Sequence, residues 1–269
     1  VAQVKGAQGR RPTVPSWYSE MLPLSFDVAA QIARFKAELY THFTEKKSDA
    51  IAWIRSYLYV DKMAALAIYN YCRAQYEYST YPVNRTFVVE EYEEKDRHHA
   101  HFLASFGRRT NEALARALAF VLSRKIRGSV ELAVTDHGFS VSGNKHLPIK
   151  AALLDLAEHD AYAILSQAID SSEALRRRFR QCAGRALMIL RSYKGRKKAV
   201  GRQQVSSRML LSTVKRIDPD FVILNEAKRE VLEDVMDAYH AQEVLGRIKK
   251  GSVSIEISPT PLPSPFAFN

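Results

Sequence analysis

Residues 173–216 read EALRRRFRQCAGRALMILRSYKGRKKAVGRQQVSSRMLLSTVKR. This segment contains 14 basic residues, and Glu173 is its one acidic residue. It carries +13 of a chain total of +11, so the remaining residues sum to a net charge of −2. Because the excess positive charge is concentrated in one place, it indicates a surface that binds a polyanion.

The segment also has a helical pattern, because apolar residues recur every three or four positions and form one stripe. The stripe consists of Leu175, Phe179, Cys182, Ala186, Leu190 and Tyr193. We expect the helix to pack through this stripe, to present a basic face opposite it, and to end at Gly195 as a C-cap. Ser206 or Ser207 is the predicted N-cap of the next helix.

A basic helix, a basic loop and the polar start of a second helix together suit phosphate binding, because loop amides and a helix N-terminus add to the side-chain charge. The predicted contacts in this segment are Arg177, Arg180, Arg191, Lys194, Arg196, Lys197, Lys198, Arg202 and Gln203. The alternative is that some arginines pair with the acidic belt between Asp218 and Glu243. Surface pairs contribute only ~0–1 kcal/mol each, so stability alone is a weak reason to collect fourteen cations.

Trp17 is a second candidate contact, because it lies in a proline-bounded loop after Arg10 and Arg11. An exposed indole beside cations can stack on a nucleobase, typically worth ~1–3 kcal/mol per base. The alternative is an indole folded back onto the first helix. We therefore include Trp17, Arg10 and Arg11 among the predicted nucleic-acid contacts.

The whole chain, at 269 residues and 46% hydrophobic composition, can bury a sizeable core. Cys72 and Cys182 lie on apolar helical patterns without a CxxC motif, which predicts free thiols in a reducing, cytoplasmic setting. No apolar run approaches the ~18–20 residues of a membrane span, so we expect no membrane partner.

The patterns predict an α+β fold that is mainly α-helical, with a small antiparallel β-sheet or barrel-like module in the middle. We expect an entry strand and Trp-containing loop over 1–24, one α+β domain over 25–258, and an extended proline-rich tail over 259–269. Within the domain, residues 25–80 and 146–250 read as helical and 82–144 as β-rich. Predicted helix starts include caps at Ser25, at Ser48, and at Thr110 or Asn111.

Few residues suggest catalysis. His99 and His101 share one face of a predicted strand and could hold a metal beside Glu90 or Glu91, but a solvated strand face is the favoured interpretation. The sequence has no GxxxxGK[ST], DExH or DExD, or GxGxxG motif, so we expect no ATP hydrolysis by this chain, no cofactor and no catalytic residue in it. The tyrosines between residues 57 and 81, with Trp53, favour a core over a base-stacking surface.

Several stretches together carry a family resemblance: RALMILRSYKGRKKAVGRQQVSSRMLL (185–211), EAKREVLEDVMD (226–237), PSPFAFN (263–269), PSWYSEMLPLSFDVAAQIARF (15–35), YPVNRTFVVEEY (81–92) and FGRRTNEALARALAFVLSRK (106–125). They resemble the C-terminal part of archaeal Lhr-type ("large helicase-related") proteins, which are superfamily 2 DEAD/DEAH-like helicases. The chain looks like their fourth, DEAD/H-associated domain, with the two RecA-like motor domains and the winged helix absent.

This resemblance implies an ATP-dependent 3′-to-5′ helicase or translocase on single-stranded DNA, linked to DNA repair. It implies ATP and Mg²⁺ for the motor, and the motor and winged helix of the same polypeptide as partners. Trp17 matches, by position and Pro-x-Trp context, a family tryptophan that stacks on a base, although Tyr18 to Met21 depart from the Gly-rich run of bacterial members.

The sequence leaves open whether a single strand, a duplex or fork, or an RNA–DNA hybrid is preferred. It also leaves two alternative functions. One is a scaffold that docks the motor and the winged helix with little DNA contact. The other is a nuclease or glycosylase module that uses an acid such as Asp136 or Asp160.

Overall fold

The computed structural model describes residues 22–45, 49–83, 85–190, 192–193, 195–197 and 200–267. The strand predicted over residues 1–8 lies outside these ranges. The elements are α1 (Phe26–Thr44), α2 (Ala50–Leu58), α3 (Lys62–Tyr78), β1 (Thr86–Glu94), β2 (Arg97–Leu103), α4 (Arg108–Ile126), β3 (Glu131–Val134), β4 (Phe139–Gly143), α5 (Ile149–Ala157), α6 (Ala161–Ile169), α7 (Glu173–Arg185), β5 (Ser192–Tyr193), β6 (Arg196–Lys197), α8 (Val200–Ile217), α9 (Val222–Arg229) with a π-helical turn (Glu230–Val235), α10 (Ala238–Lys249) and β7 (Ser254–Pro259).

Five strands form one sheet in the order β3-β4-β2-β1-β7. The first four pair antiparallel, as the alternating sequence predicts. The C-terminal strand β7 joins the edge parallel to β1, so the sheet is mixed. The predicted α+β class, mainly helical with a small central sheet, is confirmed.

The sheet separates two hydrophobic clusters, because side chains alternate across it. On β1, Phe87 and Val89 belong to the larger cluster, which includes residues of α4 to α10. Val88 belongs to the smaller cluster, which α1, α2 and α3 close. The basic helix α7 therefore lies in the larger layer.

The proline-rich end of the chain packs into the smaller cluster and differs from the expected extended tail. Buried Glu90 accepts a hydrogen bond from the Ser264 amide (3.3 Å), and buried Gln75 accepts one from the Phe266 amide (3.0 Å). Gln75 also donates to Glu90 (3.3 Å). Buried Glu90 and Gln75 thus accept hydrogen bonds from backbone amides at the end of the chain. These bonds hold in place a segment that its prolines alone would leave extended.

Two predicted helix caps need correction. Asp49 caps α2 by accepting from the Ala52 amide (3.0 Å), whereas Ser48 lies outside the described residues. Helix α4 begins after Gly107, whose φ of +79° and close approach to Leu24 O leave no room for a Cβ. Thr110 and Asn111 are instead buried in its first turn, where Asn111 donates to two carbonyls of neighbouring segments.

The basic helix is shorter than its apolar stripe predicts. It ends at Arg185, because the Ala183 carbonyl accepts from the amides of Met188 and Ile189 and Leu187 adopts φ +60°. Gly195 is therefore not its C-cap; it adopts φ +74° between the two short strands β5 and β6. Helix α8 starts at Val200, so neither Ser206 nor Ser207 caps it, and Ser207 is buried.

Candidate nucleic-acid interface

Helix α7 has one buried side and one basic side. Ser172 caps it by accepting from the Leu175 amide (3.2 Å), and Leu175, Phe179 and Cys182 are buried. At about 100° per residue, Arg177 and Arg180 point away from this stripe. Both are half-buried, and Glu173 at the start is the one acid on the helix. The predicted basic face is therefore present on the described part of the helix.

One flank of α7 is neutralised internally. Glu230, whose side chain is 5% exposed, contacts Arg178 at 3.5 Å and also binds Arg185. These two arginines account for the alternative interpretation, in which cations pair with the acidic belt. Neither belongs to the predicted contact set, so the pairing leaves Arg177 and Arg180 on a separate face.

The π-helical turn that carries Glu230 is also hydrogen-bonded to helix α4. The Arg109 guanidinium on α4 donates to the carbonyls of Glu233 and Met236 (3.3 Å to the latter). Such turns insert one extra residue into a helix and often mark functional sites. Here the turn directs a carboxylate at α7, a role that no pattern in the acidic belt distinguishes beforehand.

Helix α8 returns along α7 in the opposite direction. Lys215, near its C-terminal end, binds Asp170 just before α7 begins (2.8 Å), while the hairpin β5–β6 joins the other ends. Helix α7, the hairpin and the first turn of α8 therefore form one basic region. This antiparallel arrangement brings together residues up to 45 positions apart in the sequence.

The predicted contacts are only partly within the described structure. Arg177 and Arg180 lie on α7, Arg196 and Lys197 on β6, and Arg202 and Gln203 in the first turn of α8. For Arg196, Lys197 and Arg202 the backbone alone is described. The predicted contacts outside the described residues are Arg10, Arg11, Trp17, Arg191, Lys194 and Lys198.

The histidines of β2 form an aromatic stack. The rings of His99 and His101 lie 4.7 and 5.4 Å from that of Tyr92 on β1, nearly parallel to it. His98 points to the other face, where it is buried 3.9 Å from Glu91. No group of three or more metal-ligating side chains occurs among the described residues.

Two acids considered for catalysis have structural roles. Asp136, at the β3–β4 turn, accepts from the Leu24 amide (3.0 Å) and so attaches the entry to α1. Asp160 caps α6 by accepting from the Tyr162 amide (3.0 Å). These hydrogen bonds explain both residues without a reaction. The thiols of Cys72 and Cys182 are free and buried, as predicted.

The aromatic residues of α1 to α3 largely pack with one another. Trp53 stacks on Phe35 (5.4 Å between ring centroids) and contacts His42, and Tyr81 is buried. Tyr59, however, is 94% exposed. The core interpretation is therefore confirmed for Trp53 and Tyr81 but not for every tyrosine in this layer.

Acidification should lower the free energy of unfolding between pH 7 and 5.5. Burial lowers the pKa of His98, His99, His101 and His137. The unfolded chain then binds protons first, so stability falls as the pH drops through the unfolded value near 6.5, by at most about 1.4 kcal/mol per pH unit per group. Urea melts across this range measure the slope.

A His99→Gln variant should show a shallower slope than the unmodified chain. Glu91 acts with the opposite sign, because burial raises its pKa, but only in the lower range where carboxylates titrate. A fold that gains stability on going from pH 7 to 5.5 would contradict the assignment to histidines.

The fold and the basic region define an α+β domain with one cation-rich helical face. The family model "DEAD/H associated" matches residues 81–267. This chain belongs to the DEAD/H-associated family.

Two helicases match this chain over nearly its whole length. It is 45% identical over 261 residues to "ATP-dependent helicase Lhr-Core" of Methanothermobacter thermautotrophicus, covering 96% of this chain and 30% of that protein. It is 41% identical over 268 residues to "ATP-dependent helicase Lhr-Core protein 2" of Thermococcus barophilus, covering 99% and 31%. The predicted resemblance to Lhr-type helicases is confirmed, and the chain spans about a third of their length.

A solved structure also shares this fold. It is the Mycobacterium smegmatis helicase Lhr bound to ssDNA and AMP-PNP, with a TM-score of 0.78 and 25% identity over 97% of this chain and 33% of that one. Separately, none of the described helices is both long and apolar enough to span a bilayer.

Proposed function

We propose that this chain is the strand-gripping domain of an Lhr-type helicase and binds single-stranded DNA through α7, the β5–β6 hairpin and the start of α8. The observation that carries the proposal is the division of α7 into two cationic sides. Glu230 binds Arg178 and Arg185 on one flank, whereas Arg177 and Arg180 lie with exposed Glu173 on the face opposite the buried stripe. The bound ssDNA in the structural relative supports the same partner.

In this proposal, Arg10, Arg11, Arg191, Lys194, Arg196, Lys197, Lys198 and Arg202 add phosphate contacts, Gln203 adds a polar one, and Trp17 stacks on a base. Phosphate contacts hold the strand without reading its sequence, and stacking tolerates every base. Such a domain suits a translocase that must grip any sequence while it moves.

The motor, the winged helix and the activity of the whole protein belong to the proposal as well. ATP and Mg²⁺ would be bound by the motor domains, which lie outside these 269 residues; the sequence contains no nucleotide-binding motif that fits them. A 3′-to-5′ direction and a role in DNA repair follow from the resemblance to Lhr-type helicases. No chemical step of ATP hydrolysis is assigned to this chain.

Binding should be sequence-independent, favour single strands over duplex and RNA–DNA hybrid, and weaken steeply with salt. For single strands, log K falls with log salt by about 0.7 per phosphate contact. Lys197→Ala should therefore make the slope shallower by about 0.7 in fluorescence-anisotropy titrations. An unchanged slope would remove Lys197 from the interface.

Trp17→Ala should weaken binding without changing the salt slope. A stacked base contributes roughly 1–3 kcal/mol and releases no counterion, so affinity should fall about five- to hundredfold at every salt concentration. The same anisotropy series tests this expectation. A parallel loss of slope would instead assign Trp17 to positioning the cations, and unaltered affinity would favour an indole folded onto α1.

A scaffold role is the second candidate, and one observation favours it. Helix α8 exposes Val205, Met209 and Ile217, which are 59%, 66% and 73% exposed. Val205 and Met209, one turn apart on the helix exterior, form an exposed apolar pair that suits contact with another polypeptide segment. A chain that binds the motor domains in trans but ignores DNA at ~0.15 M salt, where distant surface charges are screened, would support the scaffold over the grip.

A further inference from the structure

A groove lies between the N-terminal end of α7 and the C-terminal half of α8, outside the predicted contact set. It has a volume of about 400 Å³. Its polar lining consists of Asp170, Ser171, Arg176, Arg208, Ser212 and Lys215. Three cations from α7 and α8, the Ser212 hydroxyl of α8 and the Ser171 hydroxyl of the α6–α7 turn thus surround one depression, with the capped start of α7 beside it.

The cations in the groove form only weak surface ion pairs or none among the described residues. Arg176 pairs with exposed Glu173 at 3.4 Å, and Lys215 pairs with exposed Asp170 at 2.8 Å. Such surface pairs contribute little and exchange readily. Arg208 is exposed and has no ion pair with any residue that the structure describes. An ion pair therefore does not explain the position of Arg208 in the groove, whereas binding of an anionic ligand would explain it.

The groove continues the basic face of α7. Arg176 precedes Arg177 and Arg180 on the same helix, and Arg208 is one and a half turns beyond Gln203 on α8. Because the two helices run antiparallel, the groove and the β5–β6 hairpin lie at opposite ends of α7. Its 13 residues make that separation about 20 Å.

We propose that this groove binds a backbone phosphate of the same strand that α7 grips, with Arg208 as its main contact and Arg176 and Lys215 as supporting cations. The inference rests on the proposed function and adds a second anchor to it. A phosphodiester suits the lining because its anionic oxygens accept from guanidinium groups, an ammonium group and the Ser171 hydroxyl together, while the Ser212 hydroxyl already donates to the Met209 carbonyl (2.8 Å). Asp170 opposes it, because its carboxylate repels phosphate and occupies Lys215.

Two substitutions with opposite expected effects test the groove in the full 269-residue chain. Arg208→Ala should weaken binding of an oligothymidylate of about 12 nucleotides by about threefold at 0.15 M salt, and make the salt slope shallower by about 0.7. Asp170→Asn should tighten the same binding by about twofold, because it removes one repelling charge and releases Lys215. Anisotropy titrations measure both.

Matched controls separate the groove from general charge. Arg55→Ala removes an exposed cation from α2, in the layer on the other side of the sheet, and Asp96→Asn removes an exposed acid from the β1–β2 turn. Arg55→Ala should not weaken binding as Arg208→Ala does, and Asp96→Asn should not tighten binding as Asp170→Asn does. Circular-dichroism melts confirm that each variant is folded, since exposed positions rarely change stability by more than about 0.5 kcal/mol.

The outcomes distinguish a failure of the groove proposal from a failure of the proposed function on which it rests. If Arg180→Glu weakens binding but Arg208→Ala and Asp170→Asn match the unmodified chain, the groove proposal is wrong and the grip on α7 stands. If none of the three changes binding, the proposed function itself fails. If inorganic phosphate at constant ionic strength binds in an Arg208-dependent way while strand affinity ignores Arg208, the groove is a free-phosphate site and the strand anchor is overturned.

Discussion

The Arg177→Glu/Arg180→Glu variant should bind single-stranded DNA at least about a hundredfold more weakly than the unmodified chain at 0.15 M salt. Each reversal removes one phosphate contact and adds one repelling charge, so the pair changes the effective contact number by about four. With a slope of about 0.7 per contact on a single strand, this corresponds to a loss of roughly two orders of magnitude. Anisotropy titrations over a salt series measure both the affinity and the slope.

The reversal should leave the fold intact, because both side chains point away from the buried stripe of Leu175, Phe179 and Cys182. Unfolding midpoints check this point. Arg55→Glu/Lys62→Glu is the matched control, since it reverses two exposed cations in the α1–α3 layer. A comparable loss from this control would mean that binding follows the total charge of the chain, and the assignment of α7 would have to be abandoned.

Removing both arginines from the other flank should cost stability instead of binding. The Arg178→Ala/Arg185→Ala variant leaves Glu230, 5% exposed, without its two partners. Breaking a buried pair from one side typically costs 3–5 kcal/mol. The two arginine side chains are 32% and 61% exposed, so solvent screening makes the expected loss in the free energy of unfolding smaller than this; urea denaturation measures it.

A third substitution should restore most of this loss. Adding Glu230→Met removes the stranded carboxylate and fills its place with an apolar side chain, which should return the stability to within about 1 kcal/mol of the unmodified chain. Arg176→Ala/Arg180→Ala removes two arginines from the same helix but should change stability by no more than about 1 kcal/mol. A Glu230→Met variant that fails to rescue would show that the arginines stabilise α7 through packing and not through charge.

The two variants test whether α7 has an anchoring flank and a separate binding face. The flank lies toward the π-helical turn, which Arg109 fixes by donating to the carbonyls of Glu233 and Met236. The face lies on the side where α8 and the hairpin bring further cations. An anchored flank holds the cations of the opposite face in fixed positions, which suits a phosphate-binding surface.

Local patterns were sufficient for most elements of the fold. Ser25 and Asp61 begin α1 and α3 because each side chain accepts from an amide three residues later. The hairpin β3–β4 follows from apolar alternation on either side of Asp136-His137-Gly138. By contrast, β7 joins β1 across about 160 residues, and a strand's partner depends on the whole core and not on its own pattern.

The sequence located the basic segment of the candidate site but did not predict where its helices begin and end. Charge density located the region, because fourteen cations beside one acid need no structure to be counted. The end of α7 was missed because a non-glycine residue, Leu187, takes a left-handed conformation that sequence rarely signals. The start of α8 was missed because the helix begins at Val200, upstream of the two serines whose capping preference suggested a later start.

By itself, the sequence determined the α+β class and the concentration of positive charge, since these depend on local periodicity and composition, and its quoted stretches carried the resemblance to Lhr-type proteins. Only the tertiary structure decided which arginines of α7 bind Glu230 and which lie on the opposite face. Arg178 and Arg180 are two residues apart on one helix, yet a carboxylate fifty residues downstream binds the first and not the second. The reason is that a helix turns by about 100° per residue, so the packing of α9 against one side of α7 determines the partner of each cation.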